Sequence, residues 1–361
     1  MKFKGFKLYS YKIRLKRTLK LKSVSIDSRE GLILKIFDDG GNCGFGEIAP
    51  LPGFSRENLE EAKSQTIQIC NSLKKPLSLQ QPEEINSAMK DFPGDVYPSV
   101  SFGVASALLI LSADRRNISL SELLNKNCSG SLEVNALLSG SKEEILTSLA
   151  LIKESNYGSV KLKVGSRDLS EDIDLTRKVS EQLGESMNLR LDANRSWSLE
   201  QAATFHSQTK DCRIEYIEEP VSNSSELQEL LADSSLAIPV ALDETLTEIE
   251  ISDFKNFSSA SALVLKPTLL GLEKTISFAG LAKAQKIACV FSSSYESVLG
   301  LSIIAQLAAA NSINSACGLD TLGIYADDSY LKLFPVKNGR IEMKNIAVID
   351  KQFESLPLTE I

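Results

Sequence analysis

Five apolar segments of the chain close on a charge, at nearly even spacing: Lys163 in Ser159–Val164, Asp192 in Asn188–Asp192, Glu218 in Ile214–Glu218, Asp243 in Pro239–Asp243 and Lys266 in Ala262–Lys266. Consecutive charges are separated by 29, 26, 25 and 23 residues, the length of one strand, one helix and two short loops in an α/β barrel. Charged side chains are almost never fully buried unless paired, so five of them closing consecutive strands must meet one another or a metal. Three more segments, Glu133–Leu138, Ala288–Ser292 and Ala316–Asp320, bring the strand count to eight. Helical patterns separate them; the one after Trp197 opens on Ser198-Leu199-Glu200-Gln201, a capping-box pattern. This regular alternation predicts an α/β fold, a (β/α)7β TIM-like barrel over residues 131–324. No GxGxxG follows the first strand, which disfavours a dinucleotide-binding sheet.

The first 98 residues lack that period. They read as an α+β module: alternating residues from 3 to 16, an apolar strand Gly31–Phe37, a turn at Asp38–Gly41 and an amphipathic run from Glu57 to Leu73. A polar, proline-containing stretch, Lys74–Pro98, marks the junction. Residues 99–130 read as a connecting segment built on the small-residue helix Val104–Ala113. Residues 325–361 are too long for a tail, and Tyr330–Leu333 and Arg340–Met343 are expected to return as strands to the N-terminal module.

Composition narrows the partners. A net charge of −7 and a pI near 5.2 disfavour a nucleic-acid or anionic-membrane surface. The basic N-terminus alternates Tyr9, Tyr11, Ile13 and Leu15 with polar residues, as a half-exposed strand does, and contains no apolar signal core. No apolar run approaches the 18 or so residues of a membrane span. Six scattered cysteines without a CxxC pair read as reduced thiols, which fits the cytoplasm. A homo-oligomer is left open.

Side chains two apart on a strand share a face, so Lys161 and Lys163 point together toward the barrel mouth. Their repulsion, with partial burial, is expected to lower one of the two pKa values and supply a neutral base. Asp192, Glu218 and Asp243 offer only oxygen, and the chain has a single histidine, His206, so the expected cation is Mg²⁺, with Mn²⁺ as a substitute, and not zinc. Glu219 must point away from Glu218 and is read, with Asn194, as bracing the site. Lys266 should stand across the mouth from Lys163. Ser292, Ser293 and Ser294 sit before a helix start where hydroxyls and N–H groups suit a carboxylate, although ordinary helix capping explains them equally well. Trp197 is read as packing between helix and barrel and His206 as a partly exposed helix residue, neither with a catalytic part.

At these positions the chain resembles the enolase superfamily, whose members take a proton from carbon beside a carboxylate with a Lys or His base and Mg²⁺. Lys-x-Lys, the acids of strands three to five and the lysine of strand six resemble its muconate-lactonizing branch; the His–Asp dyad of the mandelate-racemase branch has no counterpart after His206. Three further segments, Leu189–Trp197, Gly318–Leu322 and Gly46–Ser55, resemble members of that branch that dehydrate a succinyl-hydroxycyclohexadiene carboxylate. The resemblance implies that Lys163 is the base and then the acid, that Lys266 stabilises the anion and that Lys161 keeps Lys163 neutral. Asp192, Glu218 and Asp243 would hold the metal, residues 1–98 would be a capping domain completed by residues 325–361, and Phe54 in its loop, with Ser292–Ser294, Gly318 and Asp320, would touch a small carboxylate substrate. Gly318-Leu319-Asp320 departs from the Asp-x-Asp of dipeptide epimerases, while an N-acylamino-acid racemase fits nearly every site residue. A non-catalytic barrel is the remaining alternative.

Overall fold

A computed structural model describes residues 3–21, 24–73, 95–233, 236, 238–311, 315–346 and 348–361. Within the predicted junction, residues 74–94 lie outside the described residues. The N-terminal part is an antiparallel sheet. Strands β1 (Phe3–Leu21) and β2 (Val24–Asp38) pair along most of their length, β3 (Cys43–Ile48) lies on the far side of β2, and the C-terminal strand Leu358–Glu360 lies on the far side of β1. The helix Leu59–Ser72 follows, opened by a capping box between Asn58 and Glu61.

The helix Pro98–Asp114 is apolar on every side and buried on every side. It packs against β3 on one flank and against the helices Pro267–Leu270 and Leu272–Gln285 on the other, so it joins the sheet to the barrel. Glycines allow the close approach: a Cβ on Gly46 would fall 1.8 Å from the Gly103 carbonyl oxygen.

The barrel strands β5 (Ala136–Leu138), β6 (Ser159–Lys163), β7 (Asn188–Asp192), β8 (Ile214–Glu218), β9 (Val240–Leu242), β10 (Ala262–Leu265) and β11 (Ala288–Phe291) form one parallel sheet in chain order. The predicted eighth strand, 316–320, closes the ring through two parallel bridges, Val134 with Cys317 and Ser292 with Gly318. The predicted first strand is split: Ser131–Glu133 forms β4, outside the barrel sheet, and only Ala136–Leu138 enters it.

Two expectations for the C-terminal segment are corrected. Tyr330–Leu333 is a short helix, begun where the Asp327 carboxylate accepts the Ser329 N–H at 2.9 Å and turns the chain. Arg340–Glu342 (β12) is a strand, but it pairs antiparallel with β4 and not with the N-terminal sheet. The left-handed pair Asn338–Gly339 sets its direction by folding Lys337 back on Arg340 in a tight turn. The chain does return to the N-terminal sheet, through Leu358–Glu360 (β13) and a bridge from Tyr325 to Leu15. Among the described residues no helix is long and apolar enough to cross a membrane.

Candidate active site

Three of the charges stand side by side at the strand ends: Lys163 on β6 is in register with Asp192 on β7, and Asp192 with Glu218 on β8. Period-two alternation puts Lys161 one layer deeper on the same face. Its Nζ lies 2.9 Å from Asp192 Oδ2 and 2.9 Å from both Glu218 carboxylate oxygens. Lys266 follows β10 and its Nζ donates to Asp243 Oδ2. Asp192, Glu218 and Asp243 are all buried. Lys161, Lys163, Lys266, Asp192 and Glu218 line one cavity at the barrel mouth.

The expectation that repulsion governs the paired lysines is not met at Lys161. Burial pushes its pKa down, but the charges of Asp192, Glu218 and Asp243 outweigh that and hold it well above the ordinary lysine value. Lys266 is likewise raised, because Asp243, Glu244 and Glu218 overcome its burial. Asp192 is pulled below the usual carboxylate range: burial opposes this, and Lys161 and Lys163 prevail.

The donor set was tested against a hard cation. Among the described residues no three His, Cys, Asp or Glu side chains converge as a metal-ligating cluster. The reason is electrostatic: the Lys161 ammonium bridges Asp192 and Glu218, and Asp243 turns to Lys266. The structure thus brings two of the three expected acids around one positive charge and leaves the third one strand away. All three are nonetheless buried oxygen donors on consecutive barrel strands, which fits a hard divalent cation once Asp243 releases Lys266.

The bracing residues have partners that define their part. Glu219, at φ 42°, points away from the cavity and accepts from the N–H groups of Asp243 (2.8 Å) and Thr245 (2.9 Å), from the Thr245 hydroxyl (2.9 Å) and from Arg195 (3.0 Å). It fixes the turn that carries Asp243. Asn194, also left-handed, donates its N–H to Asp192 Oδ1 at 3.2 Å.

At the seventh loop, Ser292, Ser293 and Ser294 line the cavity, as do Gly318, Asp320 and Phe54. The helix start beside the serines is already taken, however, and is not open to a substrate carboxylate. Ser293 Oγ and the Ser294 N–H donate to buried Glu296, and the N–H groups of Ser297 and Gly300 donate to Glu47 of β3. Ser294 Oγ is buried without a hydrogen-bond partner and is the one serine hydroxyl of the three in that state. Asp320 accepts from the Tyr157 hydroxyl at 2.5 Å, and its burial raises its pKa despite that bond.

Sequence reasoning missed further lining residues, among them Asn135, Leu137, Tyr216, Glu244 and Thr321. Tyr216 was findable, since it stands two before Glu218 on the same strand face. Trp197 stacks on Phe205 at 4.4 Å and His206 lies on the following helix, away from the cavity lining.

Barrel, cap and strand-end charges together define the enolase superfamily, and residues 145–346 match the family described as enolase C-terminal domain-like. The N-succinyl Arg/Lys racemase of Bacillus cereus shares the fold over all of both chains (TM-score 0.85, 19% identity). A dipeptide epimerase of Enterococcus faecalis, solved with Mg and a dipeptide, shares it over 97% of this chain and 99% of its own (TM-score 0.83, 19% identity). Sequence resolves the class further. Residues 3–111 match the MenC N-terminal domain, and the o-succinylbenzoate synthase of Aliivibrio salmonicida is 32% identical over 89% of this chain and 91% of its own. That of Pasteurella multocida is 32% identical over 88% and 89%. The chain belongs to the o-succinylbenzoate synthase family, and it is a lyase.

Proposed function

We propose that the chain forms o-succinylbenzoate in menaquinone biosynthesis, by syn-dehydration of a succinyl-hydroxycyclohexadiene carboxylate. The observation that carries this reading is the placement of Lys163 and Lys266 in one cavity with the buried carboxylates Asp192 and Glu218. Lys163 takes the proton from the carbon beside the substrate carboxylate onto Nζ, then gives it to the departing hydroxyl on the same face. Lys266, from the opposite side of the mouth, stabilises the anionic ring by its charge. Lys161, held by Asp192 and Glu218, keeps a fixed positive charge one layer below Lys163.

Asp192, Glu218 and Asp243 would hold Mg²⁺, or Mn²⁺ in its place, with Glu219 and Asn194 fixing their orientation. When bound, the cation supplies compensation for the second negative charge that the substrate carboxylate gains, a contribution worth several kcal/mol. Phe54 covers the mouth and excludes water, and Ser292–Ser294, Gly318 and Asp320 line the space for the succinyl arm. Residues 1–98 and 325–361 act as the cap, 131–324 as the catalytic barrel and 99–130 as their connector. The six cysteines, all free of disulfides, support a reducing cytoplasm. The deciding experiment incubates the purified protein with the cyclohexadiene substrate in Mg²⁺ and in chelator. Formation of o-succinylbenzoate only with the metal is expected; turnover of N-acylamino acids alone would overturn the assignment.

A further inference from the structure

The barrel's seventh loop forms one wall of the cavity through Ser293, Ser294 and Tyr295, yet the groups that fix its backbone come from the antiparallel sheet. Glu47, the fifth residue of β3, is 1% exposed. Its Oε1 accepts from the Tyr11 hydroxyl (2.6 Å) and the Ser297 N–H (2.8 Å), and its Oε2 from the Gly300 N–H (2.8 Å) and the Ser297 hydroxyl. Three of those four donors sit on the first turn of the barrel helix Val298–Ala310 or at its N-cap. Arg29 of β2, also 1% exposed, grips the loop's other end. It donates to the Tyr295 carbonyl (3.1 Å), to that of Pro50 (2.8 Å) and to that of Ala49. Ala49 and Pro50 lead directly into Leu51 and Phe54, which line the same cavity and share one apolar cluster with Tyr295. Tyr295 is held at φ 62°, a conformation that costs an ordinary residue energy and persists only where the surroundings enforce it.

We propose that Glu47 and Arg29 are positioning residues that fix the seventh loop and the Ala49–Pro50 loop against each other where both line the substrate cavity. Neither side chain is among the cavity-lining residues, so each acts through the backbone that it holds. A carboxylate suits Glu47's place because all four of its partners are donors and it alone supplies only acceptors. An amide would turn an NH2 group on two of them. The inference rests on the synthase reading, whose cavity it partitions.

The test approaches the clasp from both domains. A Cβ on Gly300 would lie 2.5 Å from Glu47 Oε2 and 2.8 Å from its carboxyl carbon, so Gly300→Ala displaces the carboxylate from the barrel side. The same Cβ would lie 2.9 Å from Glu296 Cβ, so a lowered Tm in this variant is steric whatever Glu47 does, and KM is the readout that reports the clasp. Glu47→Gln and Gly300→Ala in the Mg²⁺-loaded full chain are expected to raise KM for the cyclohexadiene substrate at least tenfold, with kcat changed less than threefold. The Mg²⁺-dependent Tm increase should stay at its wild-type size. Tyr11→Phe, which removes one of the four donors, should give a smaller KM increase in the same direction and keeps the test alive if Glu47→Gln does not fold. Wild-type KM in all three variants overturns the proposal. Wild-type protein that fails to dehydrate the substrate overturns the synthase reading instead, and the two failures are read from different samples.

Discussion

The barrel mouth and the seam beneath the cap both bury charge, and they satisfy it with different partners. At the mouth Lys161 meets Asp192 and Glu218, and Lys266 meets Asp243, side chain against side chain. At the seam Glu47 and Arg29 hold mainly backbone N–H and carbonyl groups. Pairs between side chains can be exchanged for a cation or a substrate by turning a few torsions, whereas a backbone partner moves only with its loop. The mouth is therefore built for exchange of partners and the seam for fixed geometry.

That contrast can be broken in three ways. Lys163→Ala should lower kcat by at least roughly 10³-fold, through loss of the acid–base group and its positioning, with Tm almost unchanged. A loss below tenfold removes the residue from its assigned place. Arg29→Met should leave the carbonyls of Ala49, Pro50 and Tyr295 short of a donor and lower stability by about 3 kcal/mol in denaturant titration. Its Mg²⁺-linked Tm increase should persist; if it vanishes, seam and mouth are one unit. Glu219→Gln loosens the turn carrying Asp243 and should weaken Mg²⁺ binding about 10- to 100-fold by calorimetry.

The smallest effect belongs to a hairpin remote from both regions. Asp38 is partly shielded, which raises its pKa, but hydrogen bonds from Asn42 and Gly40 outweigh that and bring it below the usual 3.8. A lowered folded-state value means that its contribution is complete above about pH 4 and is lost as pH falls through the folded value. Asp38→Asn should cost below about 1 kcal/mol at neutral pH, and its Tm deficit should shrink below pH 4. A deficit independent of pH would reject the charge as its origin.

The barrel was legible because charge at a strand end is costly, and Lys163, Asp192, Glu218, Asp243 and Lys266 mark five of its ends. Local backbone signals were legible as well, and where they were passed over the reading failed. Asn338–Gly339 is a tight-turn signal in plain sequence, and it is what folds Lys337 back on Arg340 ahead of β12. Partner choice at long range was not legible. Nothing in the spacing says that Lys161 would settle between Asp192 and Glu218 while Asp243 turned to Lys266, since pairwise distances among side chains depend on barrel curvature. Nor could Glu47 be assigned, because three of its four donors lie 250 residues on and more. A buried acid in Gly46-Glu47-Ile48 was the available sign, and it needed the fold to be read.

One contact also bears on how this scaffold can diversify. A Cβ on Gly318 would fall 2.5 Å from the Ser292 hydroxyl oxygen, across the bridge that closes the ring. A side chain at 318 thus has to turn the Ser292 hydroxyl aside, so the two positions share one small volume at the edge of the cavity.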